Sequence, residues 1–187
     1  MQILWDWLML GWLVLEILVA AVTRTRKGGG KVQDRGSMLL LWTVIFASIW
    51  SSSWVRDTLL GIRFHNAAWL LPLSLAVLVA GLVVRLTAIY TLGRSFSVNV
   101  AIRPEQKVQR AGLYRFVRHP SYLGMLIIFL AVGLEARNWL SLAIMLVPTT
   151  LALLYRIHIE EAALLGAFGE EYAGYSRDTS RLIPGLY

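Results

Sequence analysis

The sequence predicts an all-α integral membrane protein: five transmembrane helices, the last two forming a hairpin, then a cytoplasmic C-terminal helical segment. Three observations carry this reading. The 187-residue chain is 57% hydrophobic and only 16% charged, with mean hydropathy +0.62, against about 25% charged residues in an ordinary soluble domain. Its apolar residues fall into five long runs. Its basic residues gather between those runs with a strong bias to one side. Disordered and collagen-like chains are excluded, and length supports about one domain. The chain has no cysteine, which removes disulfides, thiolate nucleophiles and cysteine metal sites.

A bilayer core of ~30 Å takes about 20 apolar residues as helix. The first run, 2–22, is interrupted only by Asp6 and Glu16. It lacks a basic leader and exceeds the apolar core of a signal peptide, so it is read as a retained span. The second is 38–54. The third is 67–92, with Arg85 inside it. The fourth is 122–136 and the fifth is 139–157, separated only by Arg137 and Asn138. So short a turn makes the last two antiparallel neighbours.

Fourteen of the eighteen basic residues fall on one side. Arg24, Arg26, Lys27, Lys31 and Arg35 follow span one; Arg94, Arg103, Lys107, Arg110, Arg115 and Arg118 follow span three; Arg156, Arg177 and Arg181 close the chain. The other side has only Arg56, Arg63 and Arg137. Basic loops stay cytoplasmic, so the N-terminus is expected outside and the C-terminus inside, in a prokaryotic inner membrane. The net charge of +7 is then a matter of orientation, with lipid rather than nucleic acid as partner. Gly28, Gly29 and Gly30 make the first loop a flexible basic linker, since a phosphate-binding loop needs a preceding strand and a following Lys-Ser/Thr.

Residues 1–92 read as scaffold and 93–187 as the region that carries chemistry. Asp6 and the serines at 51, 52 and 53 are expected near the outer interface. Glu16 lies deeper, where an acid either serves function or bonds a neighbouring helix. Thirty mostly polar residues, 93–122, are too many for an idle connection. Pro120 suits the first turn of span four and places His119 at its N-cap, with Ser121 and Tyr122 following. That helix end favours a carboxylate or phosphate. Arg156 and Glu160 share a helical face. They form either an intrahelical ion pair, worth about 0.3–0.5 kcal/mol when exposed, or two separate contacts to a ligand's charges. Residues 164–175 suit a glycine-broken amphipathic helix on the inner surface. His65, His119 and His158 have no metal-ligand spacing.

The string Gly112-Leu113-Tyr114-Arg115-Phe116-Val117-Arg118-His119-Pro120-Ser121-Tyr122-Leu123-Gly124 resembles the RHPxYxG signature of the isoprenylcysteine carboxyl methyltransferase family. Arg156, Glu160, Glu161 and Leu164, followed by Phe168-Gly169-Glu170-Glu171-Tyr172 and Tyr175, resemble that family's C-terminal region. Signature, hairpin and acidic pair come in the family's order. The resemblance covers roughly 93–187 and implies a prokaryotic-type membrane methyltransferase using S-adenosyl-L-methionine. It implies cofactor contacts at Gln106, Lys107, Val108, Gln109, Tyr114, His119, Pro120, Ser121, Tyr122 and Glu160. It further implies that Arg156 binds the acceptor and acts in catalysis.

The acceptor so implied is a lipophilic molecule entering from the membrane, with an isoprenylcysteine-like carboxylate. Such a carboxylate is ionised near neutral pH and needs no general base, and the planar fork of Arg156 suits it. Three alternatives stay open on the sequence: a phospholipid or small-lipid amine N-methyltransferase, an NADPH-binding membrane reductase, and a non-catalytic scaffold.

Overall fold

The computed structural model describes residues 1–23, 31–32, 36–58, 63–64, 67–98, 101–102 and 106–185. Arg24, Arg26, Lys27, the glycines at 28–30, Arg35, His65 and Arg103 lie outside the described residues. The helices are α1 (Gln2–Thr23), α2 (Ser37–Thr58), α3 (Leu70–Leu92), α4 (Pro120–Glu135), α5 (Trp139–Phe168) and α6 (Glu170–Asp178). Four of them, α1, α2, α3 and α5, are long and apolar enough to cross a membrane, while α4 is an apolar helix of 16 residues.

Two tight seams organise the bundle. Along α3 and α4, glycine lets backbones meet: a Cβ on Gly124 would stand 2.7 Å from the Arg85 nitrogen, and one on Gly81 would stand 2.8 Å from Ile128 Cγ1. Between α2 and α5, Ser141 Oγ donates to the Ser52 carbonyl at 2.8 Å, and Ser52 Oγ donates back to the Ser141 carbonyl at 3.3 Å. Ser52 is therefore a buried interhelical clasp. The α4–α5 turn is held by Asn138, whose side chain caps α5 by accepting from the Leu140 and Ser141 amides, while Arg137 adopts φ 52°. Helix α1 is the loosest member, with 17% of its apolar window buried. Trp12 meets Phe129 of α4 edge-on at 6.3 Å.

Two expectations need correction. The fifth helix does not stop near Ile157: it runs unbroken to Phe168, and the break falls at Gly169, with φ 52°. Residues 164–168 thus belong to α5, and only Glu170–Asp178 forms the separate helix. Between Ile157 and Phe168 only Gly166 strongly lowers helix propensity, and continuing the α5 ladder costs less than starting a new helix. Nor is the first loop wholly a free linker. Lys31–Val32 (β1) pairs antiparallel with Ala101–Ile102 (β2), in register Lys31↔Ile102 and Val32↔Ala101. A two-residue strand is too short to show alternation in sequence.

The two ends of the bundle differ. At one, Arg56 pairs with Glu135 at 3.4 Å, and the Phe64 amide donates to the Arg137 carbonyl. At the other, the ends of α1, α3 and α5 and the starts of α2 and α4 surround a cavity, with α6 and the tail against it.

Candidate functional site

The segment between α3 and α4 is tied down rather than loose. Gln109 donates from Nε2 to the Thr91 carbonyl at 2.9 Å, and its Oε1 accepts from the Arg110 and Ala111 amides. A 3-10 turn, Gly112–Arg115, then places Tyr114 on the cavity wall. The chain next pairs with the tail. Arg118 N–H donates to the Ser180 carbonyl, Ser180 N–H to Phe116, and His119 N–H to Arg181, at 2.9–3.2 Å. His119 ends as the N-cap of α4, with Pro120 at its first position.

Residues 106–109, Tyr114, His119, Ser121, Tyr122, Arg156 and Glu160 all line this one cavity. The first and last of these are 54 positions apart in the chain, and the α4–α5 hairpin brings them together. Pro120 is the exception. It is fully buried in the first turn, off the cavity wall, and its contribution is to start the helix. His158 faces outward, away from the cavity.

Arg156 and Glu160 connect through a third residue. The Tyr122 hydroxyl donates to Glu160 Oε2 at 2.7 Å and accepts from Arg156 Nε at 3.0 Å. Arg156 also donates to Ser37 Oγ at 2.9 Å and to the Val98 carbonyl. His119 stacks on Tyr122, with centroids 5.6 Å apart. The neighbouring Glu161 faces away and gathers three basic groups: Arg118 Nε at 2.8 Å, Arg181 Nε at 3.0 Å and His119 Nε2 at 3.3 Å. Arg118 also donates to the carbonyls of Ser176 and Thr179 at the end of α6. One carboxylate on α5 thereby fastens α6 and the tail over the site.

The sequence reading missed the part of the wall drawn from the first half of the chain. Glu16 and Arg85 face each other two turns inside the bundle. Arg85 Nη2 donates to Glu16 Oε2 at 2.7 Å, and Nε bonds the other oxygen. Arg85 Nη1 donates to Ser121 Oγ at 2.6 Å, and Trp12 Nε1 donates to Glu16 at 3.2 Å. The signal was present: opposite charges inside two apolar helices have few partners except each other. Met38, Leu41 and Trp42 of α2, with Met125, Phe96, Tyr172 and Tyr175, add to the wall. Burial, reinforced by Glu160, pushes the Tyr114 phenol well above its ordinary range. Burial also lifts Tyr175 to about 12. Both therefore remain protonated donors at physiological pH.

Comparison with known proteins follows the same geometry. The model of the isoprenylcysteine carboxyl methyltransferase (ICMT) family matches residues 74–166, from early α3 to near the end of α5. Protein-S-isoprenylcysteine O-methyltransferase B of Arabidopsis thaliana is 33% identical over 118 residues, covering 62% of this chain and 60% of that protein. The Tribolium castaneum protein-S-isoprenylcysteine O-methyltransferase is 30% identical over 138 residues, 71% of this chain and 49% of that one. Methanethiol S-methyltransferase 1 of Bradyrhizobium diazoefficiens is 40% identical over 72 residues, 38% of this chain and 24% of that one. The solved structure of the eukaryotic intramembrane Ras methyltransferase ICMT superposes with TM-score 0.62 at 27% identity, covering 78% of this chain and 52% of the other. The chain thus spans between about half and three fifths of the isoprenylcysteine methyltransferases it matches. Through residues 74–166, with the signature at the start of α4 and the acidic pair on α5, the chain belongs to the isoprenylcysteine carboxyl methyltransferase family.

Proposed function

We propose that this protein is an S-adenosylmethionine-dependent methyltransferase that forms the methyl ester of a lipophilic, isoprenylcysteine-like carboxylate. The observation that carries the reading is the convergence of residues 106–109, the His119–Tyr122 helix start, Arg156 and Glu160 on one cavity. The donor set fits the cofactor. Glu160 offers a carboxylate to an ammonium or to ribose hydroxyls, the α4 N-terminus favours a carboxylate, and Phe96, Met125 and Leu164 offer apolar surface. Tyr172 adds a buried hydroxyl with no protein partner among the described residues.

The bound cofactor supplies an electrophilic methyl carbon on a sulfonium. The protein's own work is binding, alignment and exclusion of water. Tyr122 sets the Glu160 carboxylate by its 2.7 Å bond. Arg156, fixed by Ser37 and Tyr122, orients the acceptor carboxylate. That group arrives ionised, so no cavity residue has to take its proton. The glycine-tight α3–α4 seam and the tail clamp keep the wall dry.

We also infer five membrane crossings with the cavity at the cytoplasmic end. Helix α4, about 24 Å long, packs against α3 and α5, and Lys107, Arg118 and Arg156 lie at the cavity end. A thiol acceptor is the second reading, favoured by the 40% identity to a methanethiol S-methyltransferase.

The test is methyl transfer by purified protein from methyl-labelled cofactor to a short prenylcysteine analogue, a small thiol and a phospholipid amine. Label appearing as a base-labile ester on the prenylcysteine supports the reading. Label on the amine alone refutes it, and label on the thiol alone selects the second reading. Arg156→Ala should abolish ester formation while leaving cofactor affinity nearly intact, and Arg156→Lys should recover little, because Lys lacks the bidentate fork.

A further inference from the structure

Four tyrosines line the cavity, and three have committed their hydroxyls to the protein. Tyr122 donates to Glu160 at 2.7 Å. Tyr175 donates to the Tyr114 carbonyl at 2.7 Å. Tyr114 donates to the Ala88 carbonyl at 3.4 Å. Tyr172 stands apart. It is 4% exposed, yet its hydroxyl has no hydrogen-bond partner among the described residues.

A phenol taken out of water without a new partner opposes folding, and native structures keep few such groups. Nor is the ring free to swing out and find one. The Gly169 amide bonds the Leu165 carbonyl where α6 begins, Arg110 donates to the Glu171 carbonyl at 3.1 Å, and Arg118 grips the far end of the helix. Tyr175 packs beside the Tyr172 ring, with centroids 5.9 Å apart. The Tyr172 side chain is thus held in the cavity wall with its buried hydroxyl unspent. Residue 172 lies beyond the 74–166 stretch that matches the family model, in the string that resembles the family's C-terminal region, and the resemblance gives its hydroxyl no role.

The charges around the hydroxyl narrow the choice of ligand group. Besides burial, Glu161 and Glu160 raise the Tyr172 phenol, and Arg118 offsets them only in part. The group therefore stays a neutral donor, close to the carboxylates of Glu161 and Glu160. A neutral acceptor is favoured there over an anion.

We propose that Tyr172 is a cofactor-binding residue whose hydroxyl donates to a neutral acceptor, a ring nitrogen or hydroxyl oxygen, on the nucleoside part of the cofactor. This rests on the methyltransferase reading and adds to it a specific contact from α6.

The experiment is calorimetry of the full-length protein and of Tyr172→Phe with two ligands: S-adenosylhomocysteine, and methylthioadenosine, which keeps the nucleoside but lacks the amino-acid arm. Tyr172→Phe should weaken both by the same factor, about 2- to 10-fold for one neutral hydrogen bond. The ligand-free variant should melt no lower than the wild type, because an unpartnered hydroxyl has no bond to lose. Tyr175→Phe, which breaks the 2.7 Å bond to Tyr114, should melt lower and so shows that the melt detects such a loss. Unchanged affinity for both ligands overturns the proposal. A loss confined to S-adenosylhomocysteine moves the contact to the amino-acid arm and overturns the nucleoside assignment. A Tyr172→Phe protein that melts lower or does not fold shows a structural hydroxyl, which also overturns it. Failure of the wild type to bind either ligand is a different result: it refutes the methyltransferase reading itself.

Discussion

Replacing Glu16 by Leu leaves the Arg85 guanidinium buried without its counter-ion. The two side chains are 3% and 6% exposed and share two bonds, one of them at 2.7 Å. Removing one partner of such a pair costs about 3–5 kcal/mol, whereas replacing both by apolar residues is often neutral or stabilising. On the scale of soluble domains near this size, where 1 kcal/mol moves Tm by about 2–4 °C, the single variant should melt roughly 6–20 °C lower. The effect should be large because α1 has little other anchorage. The double variant Glu16→Leu/Arg85→Leu should recover most of that loss. It should not recover the site, because it still lacks the 2.6 Å bond from Arg85 to Ser121 Oγ at the start of α4. Thermal melts in detergent, paired with calorimetric titration of S-adenosylhomocysteine, separate the two effects. A Glu16→Leu protein that melts with the wild type, or a double variant no more stable than the single, would refute this reasoning. Wild-type affinity in the double variant would show that the pair serves the fold alone.

Two further outcomes follow from the packing. Gly124→Ala places a methyl 2.7–2.9 Å from the nitrogen, Cα and Cβ of Arg85, none of which moves without separating α3 from α4; it should cost about 1–3 kcal/mol and weaken ligand binding, while Gly166→Ala, with nothing within 4 Å, should be neutral or slightly stabilising in the same melts. Glu161→Gln removes the charge shared by Arg118, Arg181 and His119, so α6 should loosen and limited trypsin digestion should cut at Arg177 faster than in the wild type.

Apolar run length located the helices because a bilayer-length stretch of Leu, Val, Ile and Trp has few other uses. Pro120 marked the start of α4 through its backbone chemistry, which is local and therefore visible in sequence. The signature string and the spacing of Arg156 to Glu160 pointed to the polar side of the cavity wall. What stayed hidden depends on distant partners. Spacing left Arg156 and Glu160 as either a direct pair or two ligand contacts, and the Tyr122 hydroxyl that links them comes from another helix. The Glu16–Arg85 pair joins residues in α1 and α3 whose register no local rule fixes. The pairing of Lys31–Val32 with Ala101–Ile102 is too brief to leave a pattern. Whether a tyrosine hydroxyl is satisfied, as at Tyr175, or left open, as at Tyr172, is decided only when the tail folds back over α5.

The central claim is that the cavity beneath α6 binds S-adenosylmethionine, and titration of the purified protein with S-adenosylhomocysteine and, separately, NADPH tests it most directly. The account predicts binding of S-adenosylhomocysteine alone, weakened about 10- to 100-fold by His119→Ala or Glu160→Ala, each of which removes a charge-assisted contact. Binding of NADPH without S-adenosylhomocysteine, or unchanged S-adenosylhomocysteine affinity in both variants, would contradict it.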